Sequence, residues 1–182
     1  NLEEFWQNEF ASHPLILSEV FAVPIVVLAE KAYVGGKAIS NQDGSVVDFL
    51  LKNSVTGSSL LTEIKTPGTQ LLGAEYRNRA YPASPDLSGA ISQALLYKHN
   101  LLTEAHSLQR NSAASGRPFE SFDPPILIVI GSTAGLDNND KKRCFELIRQ
   151  QHRSINIITF DELYQKLEDL LNVLEGNLSV RT

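Results

Sequence analysis

Apolar positions recur along this chain with two periods, one typical of helices and the other typical of strands. Over Leu2–Ser12 the bulky apolar residues stand at helical spacing, which predicts an amphipathic helix. His13-Pro14 ends that helix, because the residue before a proline is disfavoured in the helical region. Residues 21–34 are rich in valine and alanine and predict a strand or another buried segment, with a break at Gly35-Gly36.

Two runs of strand-forming residues follow, at positions 45–52 and 59–65, and a turn-rich segment joins them. We expect a hairpin with a two-residue turn. In that register Asp48 lies opposite Lys65 and diagonal to Glu63, on one face of the sheet. A slip of one residue would turn Asp48 to the other face, so the predicted arrangement depends on this register.

The remaining sequence predicts further helices, strands and two long loops. The helices cover 87–108, 138–152 and 161–174, the strands cover 126–130 and 155–160, and the loops cover 66–85 and 111–125. Asp86 is the expected N-cap of the first of these helices, and Asp161 or Thr159 that of the last. This order predicts an α/β fold, a mixed β-sheet flanked by helices.

Composition narrows the class of protein. With 182 residues, 42% of them apolar, the chain can form one folded domain over 1–182. Its single cysteine, Cys144, excludes a disulfide framework and indicates a reducing, cytoplasmic environment. No apolar run approaches the ~18–20 residues of a membrane span, and we expect neither membrane association nor a signal peptide. Because the chain lacks methionine even at position 1, we expect a C-terminal fragment of a longer protein.

Charged residues at the predicted hairpin are the candidates for chemistry. Asp48 interrupts an otherwise apolar strand, and Glu63 and Lys65 are two residues apart, so they point to the same face. Carboxylates converging at the end of a buried hairpin are costly to desolvate unless something pairs them, and Mg²⁺ suits carboxylate oxygens. The alternative is an ordinary carboxylate–lysine ion pair at a strand end.

These residues resemble a known nuclease signature. Asp48, followed after fourteen residues by Glu63-Ile-Lys65, resembles the PD-(D/E)XK motif, with Val47 where the motif name has proline. Gln93-Ala-Leu-Leu-Tyr97, on the following predicted helix, resembles the Q-x-x-x-Y motif of the RecB-like branch. Residues i and i+4 share a helix face, so Gln93 and Tyr97 can both face the carboxylates or DNA. We expect neither side chain to lie in the main core.

Nearly the whole chain resembles the nuclease domain of Shedu antiphage-defence proteins. The similar segments are Glu4-Phe-Trp-Gln7 through His13-Pro-Leu-Ile-Leu17, Glu63-Ile-Lys-Thr-Pro67, residues 86–97 and Ile157-Ile-Thr-Phe-Asp161-Glu-Leu163. The resemblance implies a restriction-endonuclease-like fold, Mg²⁺-dependent cutting or nicking of DNA (Mn²⁺ as a substitute), an additional N-terminal region and homo-oligomers. The DNA would be that of an invading phage.

The resemblance also assigns roles to individual residues. Asp48 and Glu63 would ligate the metal, Lys65 would be the motif lysine, and Gln93 and Tyr97 would form the helix motif. Glu4 on the first helix is a further candidate ligand, and Glu9 competes with it for that role.

Positive charge near the predicted site suggests how DNA would be held. Arg77, Arg79 and Lys98 flank the site and are candidates for backbone-phosphate contacts. The tail helix carries a broad leucine stripe, which agrees with an oligomer.

Three other sequence features are typical of nucleotide-binding proteins, serine hydrolases or zinc proteins, but each of them is incomplete here. Gly131-Ser-Thr-Ala-Gly135 joins a strand to a helix but lacks the lysine of a phosphate-binding loop, so we expect no nucleotide cofactor. Ser132 is not in a nucleophile elbow, and the histidines lack zinc-ligand spacing. The main alternative to a nuclease is a catalytically inactive module of the same fold that binds DNA or a partner protein.

Overall fold

The computed structural model of the chain describes residues 2–36 and 44–176. Within them, a five-stranded sheet lies between two layers of α-helices, which confirms the predicted α/β fold with a mixed sheet. The strands are β1 (Ile25–Tyr33), β2 (Val46–Asn53), β3 (Ser59–Ile64), β4 (Ile126–Val129) and β5 (Ile155–Ile158). The helices are α1 (Leu2–Ser12), α2 (Leu15–Phe21), α3 (Pro85–Thr103), α4 (Ala105–Ala114), α5 (Asn139–Gln150) and α6 (Phe160–Leu174).

The strands follow one another across the sheet in chain order. β1 pairs with β2 and β2 with β3 in antiparallel fashion, whereas β3, β4 and β5 are parallel. The predicted hairpin is therefore the centre of the sheet, continued by the two short apolar strands, as the sequence predicts. Strands β3 and β4 are buried throughout, as expected for strands covered on both faces by helices.

Each face of the sheet has its own apolar core. On one face, sheet residues pack against α3 and α5, and this core includes Leu50, Leu61, Ile126, Ile128, Leu87, Ala94, Leu101 and Phe145. On the other face, the sheet packs against α1, α2 and α6, and this core includes Phe49, Leu60, Leu127, Val129, Phe10, Leu17 and Leu163. Helices α1 and α3 thus approach the hairpin from opposite faces.

The helices differ from the prediction in three respects. Helix α2 begins directly after α1, because Pro14, with φ of −64°, suits the start of a helix as well as the end of the preceding one. The helix predicted over 87–108 is two helices that meet at Glu104, and α4 continues into the predicted loop at 111–125. The carboxylate of Glu104 accepts a hydrogen bond of 2.6 Å from the Gly36 backbone, a tertiary contact that local spacing does not predict. Ser84, rather than Asp86, caps α3 by accepting from Leu87 N.

The predicted two-residue turn of the hairpin is wrong. Residues 54–58 form a longer loop, in which the side chain of Asn53 accepts from the amides of Val55 and Thr56. As a result Phe49 pairs with Thr62 rather than with Ile64, a shift of two residues. Because side chains alternate with a period of two, an even shift keeps the same residues on the same face.

Among the helices in the described part of the chain, none combines the length and the apolar character needed to cross a lipid bilayer.

Candidate active site

Asp48 lies in β2, next to the sheet's central strand β3, and is almost completely buried. Three donors surround its carboxylate. Oδ1 accepts from Gln7 Nε2 at 2.7 Å and from Lys31 Nζ at 2.8 Å, and Oδ2 accepts from the backbone amide of Ile64 at 2.8 Å. These contacts fix the orientation of the carboxylate beside the end of β3.

Glu63 is the most perturbed acid of the site. Its side chain is 4% exposed, and burial, followed by the charge of Asp48, raises its pKa to about 7. Its Oε1 accepts from Lys65 Nζ at 2.9 Å, whereas Oε2 is buried and has no hydrogen-bond partner among the residues that the structure describes. Most buried polar atoms in folded proteins have a partner, so Oε2 is an exception that calls for an explanation.

Lys65 follows the end of β3 and joins the site to α1. Besides Glu63, its ammonium lies 3.7 Å from the Glu3 carboxylate. Burial alone would lower the pKa of Lys65, but the hydrogen bond to Glu63 and the surrounding negative charges raise it above its ordinary value. Lys65 is therefore a permanently charged donor at the carboxylate pair.

The α3 motif residues contact each other, and Tyr97 lies within electrostatic range of the site. Gln93 Nε2 donates to Tyr97 Oη. Burial raises the pKa of Tyr97, and the charges of Glu63, Lys65 and Asp48 also act on it. The expectation that neither side chain lies in the core is wrong for Tyr97, which is 8% exposed and belongs to the core on the α3 face. Its ring serves packing while its hydroxyl turns toward Gln93.

The donor atoms present fit a small, hard cation. Asp48 and Glu63 are carboxylates on adjacent strands, and Mg²⁺ is commonly held in proteins by one or two carboxylates, with water and substrate oxygens completing the shell. In residues 2–36 and 44–176 no group of three or more His, Cys, Asp or Glu side chains is arranged to hold a metal by itself. Any cation here would therefore need further oxygen ligands besides these two carboxylates, such as backbone carbonyls, water or substrate oxygens.

The first helix places its acids differently from the sequence interpretation. Glu4, the candidate third ligand, and its competitor Glu9 are both exposed on α1. The α1 acid that contacts the site is Glu3, through Lys65. The assignment of Glu4 as a ligand stays a prediction.

Sequence reasoning missed two residues that bind Asp48. Gln7 is a buried polar residue on the apolar face of α1, one turn before the buried Phe10, and that position is the signal that could have identified it. Lys31 lies in β1 and has a left-handed backbone, with φ of 44°. No local pattern marks Lys31, because its role depends on the pairing of β1 with β2.

The candidate DNA-contacting residues lie on two elements. Arg77 and Arg79 are exposed in the turn of a small hairpin within the 66–85 loop, where Arg77 lies over the Tyr76 ring. Lys98 on α3 is only 13% exposed and pairs with the exposed carboxylate of Asp123 at 2.5 Å.

Two other sequence signals have structural explanations. The backbone amide and hydroxyl of Thr133, in the 131–135 loop, donate to Asp161, so a carboxylate of the chain itself occupies that loop. Cys144 is partly buried and accepts from the Tyr81 amide.

Comparisons with known proteins show which family the chain resembles. A family model described as "Shedu protein SduA, C-terminal" matches residues 1–164. A curated relative, Shedu protein SduA of Bacillus cereus (strain B4264), is 37% identical over 177 residues. The match covers 96% of this chain and 47% of the relative, so the chain spans about half the length of that relative.

Proposed function

This chain belongs to the Shedu protein family, and from that premise and the geometry of the site we propose that it is a Mg²⁺-dependent DNA endonuclease of antiviral defence. Its substrate would be invading phage DNA in the cytoplasm, and Mn²⁺ would substitute for Mg²⁺. Asp48 and Glu63 would be the metal ligands.

The observation that carries the proposal is the state of Glu63. A buried carboxylate with a raised pKa and a partnerless Oε2 destabilises the fold when it is ionised. A cation bound at Oε2 would stabilise the ionised carboxylate and so offset the desolvation cost that raises the pKa of Glu63 in its absence. An ordinary ion pair with Lys65 would satisfy only Oε1.

The other side chains have complementary roles in phosphodiester hydrolysis. A bound Mg²⁺ supplies a water of lowered pKa and offsets charge that develops on the phosphate. Lys65 would donate a charged hydrogen bond to the phosphate or to the attacking water. The backbone amide of Ile64 and the Gln7 amide hold Asp48 in place. Tyr97, anchored in the core, would orient Gln93 through the hydrogen bond between them.

The decisive experiment compares wild type with Glu63→Ala on linear, circular and single-stranded DNA. We expect wild type to cleave with Mg²⁺ and not with excess chelator. Glu63→Ala should lose roughly a thousandfold or more in cleavage rate, because it removes a proposed metal ligand. The variant should keep its fold, because the substitution removes a carboxylate that repels Asp48. Glu168→Ala, which removes an exposed acid of α6, is the matched control and should cleave like wild type. Equal rates for wild type and Glu63→Ala would refute the proposal.

An inactive DNA- or partner-binding module is the second candidate. The observation that favours it is the lack, in the described part of the chain, of a third acidic or histidine ligand beside the carboxylate pair. The same experiment separates the two functions, because an inactive module would bind DNA without Mg²⁺-dependent cleavage.

A further inference from the structure

Lys31 has a backbone conformation that is unusual for a strand residue. Its neighbours Glu30 and Ala32 pair regularly with Phe49 and Val47 of β2, whereas Lys31 itself adopts a φ of 44°. Non-glycine residues with such φ values are strained and concentrate at functional sites. The outlier faces the position of Asp48 in β2, so it lies at the site described above.

The kinked backbone brings a second ammonium group to the carboxylate pair. Lys31 Nζ lies 2.8 Å from Asp48 Oδ1, while Lys65 Nζ lies 2.9 Å from Glu63 Oε1. Each carboxylate therefore has its own lysine. The two lysines differ in freedom, because the Lys31 side chain is 57% exposed and that of Lys65 is 22% exposed.

This difference sets which lysine can give way to a metal ion. A divalent cation bound at Asp48 Oδ1 would compete with Lys31 there, since that oxygen already accepts from both Gln7 and Lys31. The Lys31 side chain is 57% exposed and has a flexible stem, so its ammonium can move from the buried Asp48 carboxylate to the solvent-facing side of the site. That side is where a DNA strand must approach two buried carboxylates.

We propose that Lys31 is a second active-site cation, which pairs with Asp48 in the metal-free protein and contacts a DNA phosphate when a divalent cation replaces it. The inference rests on the proposed function and extends it, because it assigns a role to a residue outside the resemblance motifs. It makes Lys31 a substrate-binding residue whose availability depends on the metal.

Lys31→Gly is the most informative variant, since it removes the ammonium and also relieves the left-handed strain. The matched control is Ala22→Gly, which relieves a similar left-handed conformation at the end of α2 and removes no charge. Lys31→Arg keeps the positive charge. We would measure Mg²⁺ binding by calorimetry, and binding of a short DNA duplex against salt concentration, once with Ca²⁺ as a poorly catalytic ion and once with chelator.

We expect Lys31→Gly to melt no lower than wild type, because glycine relieves the left-handed strain. The variant should bind Mg²⁺ about threefold more tightly, because the Lys31 ammonium no longer competes with the ion for Asp48. In Ca²⁺, the slope of log affinity against log salt should fall by about one relative to wild type, and with chelator it should not change. Lys31→Arg should keep the wild-type slope, and Ala22→Gly should match wild type in both measurements.

Unchanged Mg²⁺ affinity or an unchanged salt slope in Lys31→Gly would overturn the role of Lys31. Failure of the nuclease proposal has a different signature, because wild type itself would then bind no Mg²⁺ in the calorimeter.

Discussion

Among single residues, Glu63 has the clearest energetic consequence. Its pKa of about 7 in the folded chain lies above its ordinary value, so the folded state holds the Glu63 proton more tightly than the unfolded state does. Stability from this group is therefore present at low pH and is lost as pH rises from about 4.5 to about 7. The side chain is almost fully buried, and the loss is on the order of 3 kcal/mol.

Glu63→Gln tests this linkage in metal-free protein. The variant cannot ionise at this position, so its free energy of unfolding relative to wild type should rise between about pH 5 and pH 8. Urea unfolding in the presence of chelator, repeated across that range, measures the difference. Parallel pH curves for the two proteins would mean that Glu63 titrates as an ordinary carboxyl.

At the scale of elements, the segments that follow β3 and β4 are joined by backbone hydrogen bonds beside the site. The Gly131 amide donates to Thr66 O, and Lys65 N donates to Val129 O, so the loop after Lys65 rests on the loop after β4. Gly131 has a φ of 64°, and a Cβ built there would lie 2.6 Å from Thr69 O. That backbone oxygen cannot swing away as a flexible side chain can.

Gly131→Ala should therefore destabilise the chain by about 2 kcal/mol or more and slow cleavage, because the loop beside Lys65 must shift. Gly135→Ala is the control, since its Cβ would meet nothing within 4 Å and its φ is ordinary. We expect the control to stay within about 0.5 kcal/mol of wild type. Chemical unfolding and cleavage rates of both variants check the prediction, and equal stabilities would contradict the close approach at Gly131.

Helix and strand existence could be predicted from the sequence, whereas contacts between elements could not. α1 has the predicted bounds, and Thr159, one of the two predicted N-caps, caps α6, which begins one residue before the predicted start. The break at Glu104 and the hairpin register depend on tertiary contacts and loop length, which local periodicity does not encode. The same division holds at the site, where a motif pointed to Asp48 and Glu63 but the pairing of β1 with β2 was needed to find Lys31.

At the scale of the whole molecule, α6 leaves part of its leucine stripe uncovered. Leu163 is fully buried against the sheet, while Leu171, Val173 and Leu174 are 56%, 56% and 73% exposed. The apolar residues Leu2 and Phe5 of α1 are exposed as well. Several large apolar side chains exposed at one helix end are typical of a protein–protein contact. We therefore keep the homo-oligomer as a proposal, with the end of α6 as its contact.

Replacing Leu171 and Leu174 together by glutamate should weaken that association by at least about a hundredfold, because two apolar side chains lose their buried area and two charges meet the partner copy. Sedimentation velocity over a range of micromolar concentrations would follow the change, and we expect wild type to sediment as a dimer or larger species and the double variant as a monomer. Val55→Glu is the control, since Val55 is 80% exposed in the loop between β2 and β3, and it should sediment like wild type. Melting temperatures of the three proteins should agree within a few degrees at concentrations where all are monomeric, because neither leucine contributes to the core. A wild type that is monomeric at every concentration, or a double variant that associates as wild type does, would remove the end of α6 as the contact.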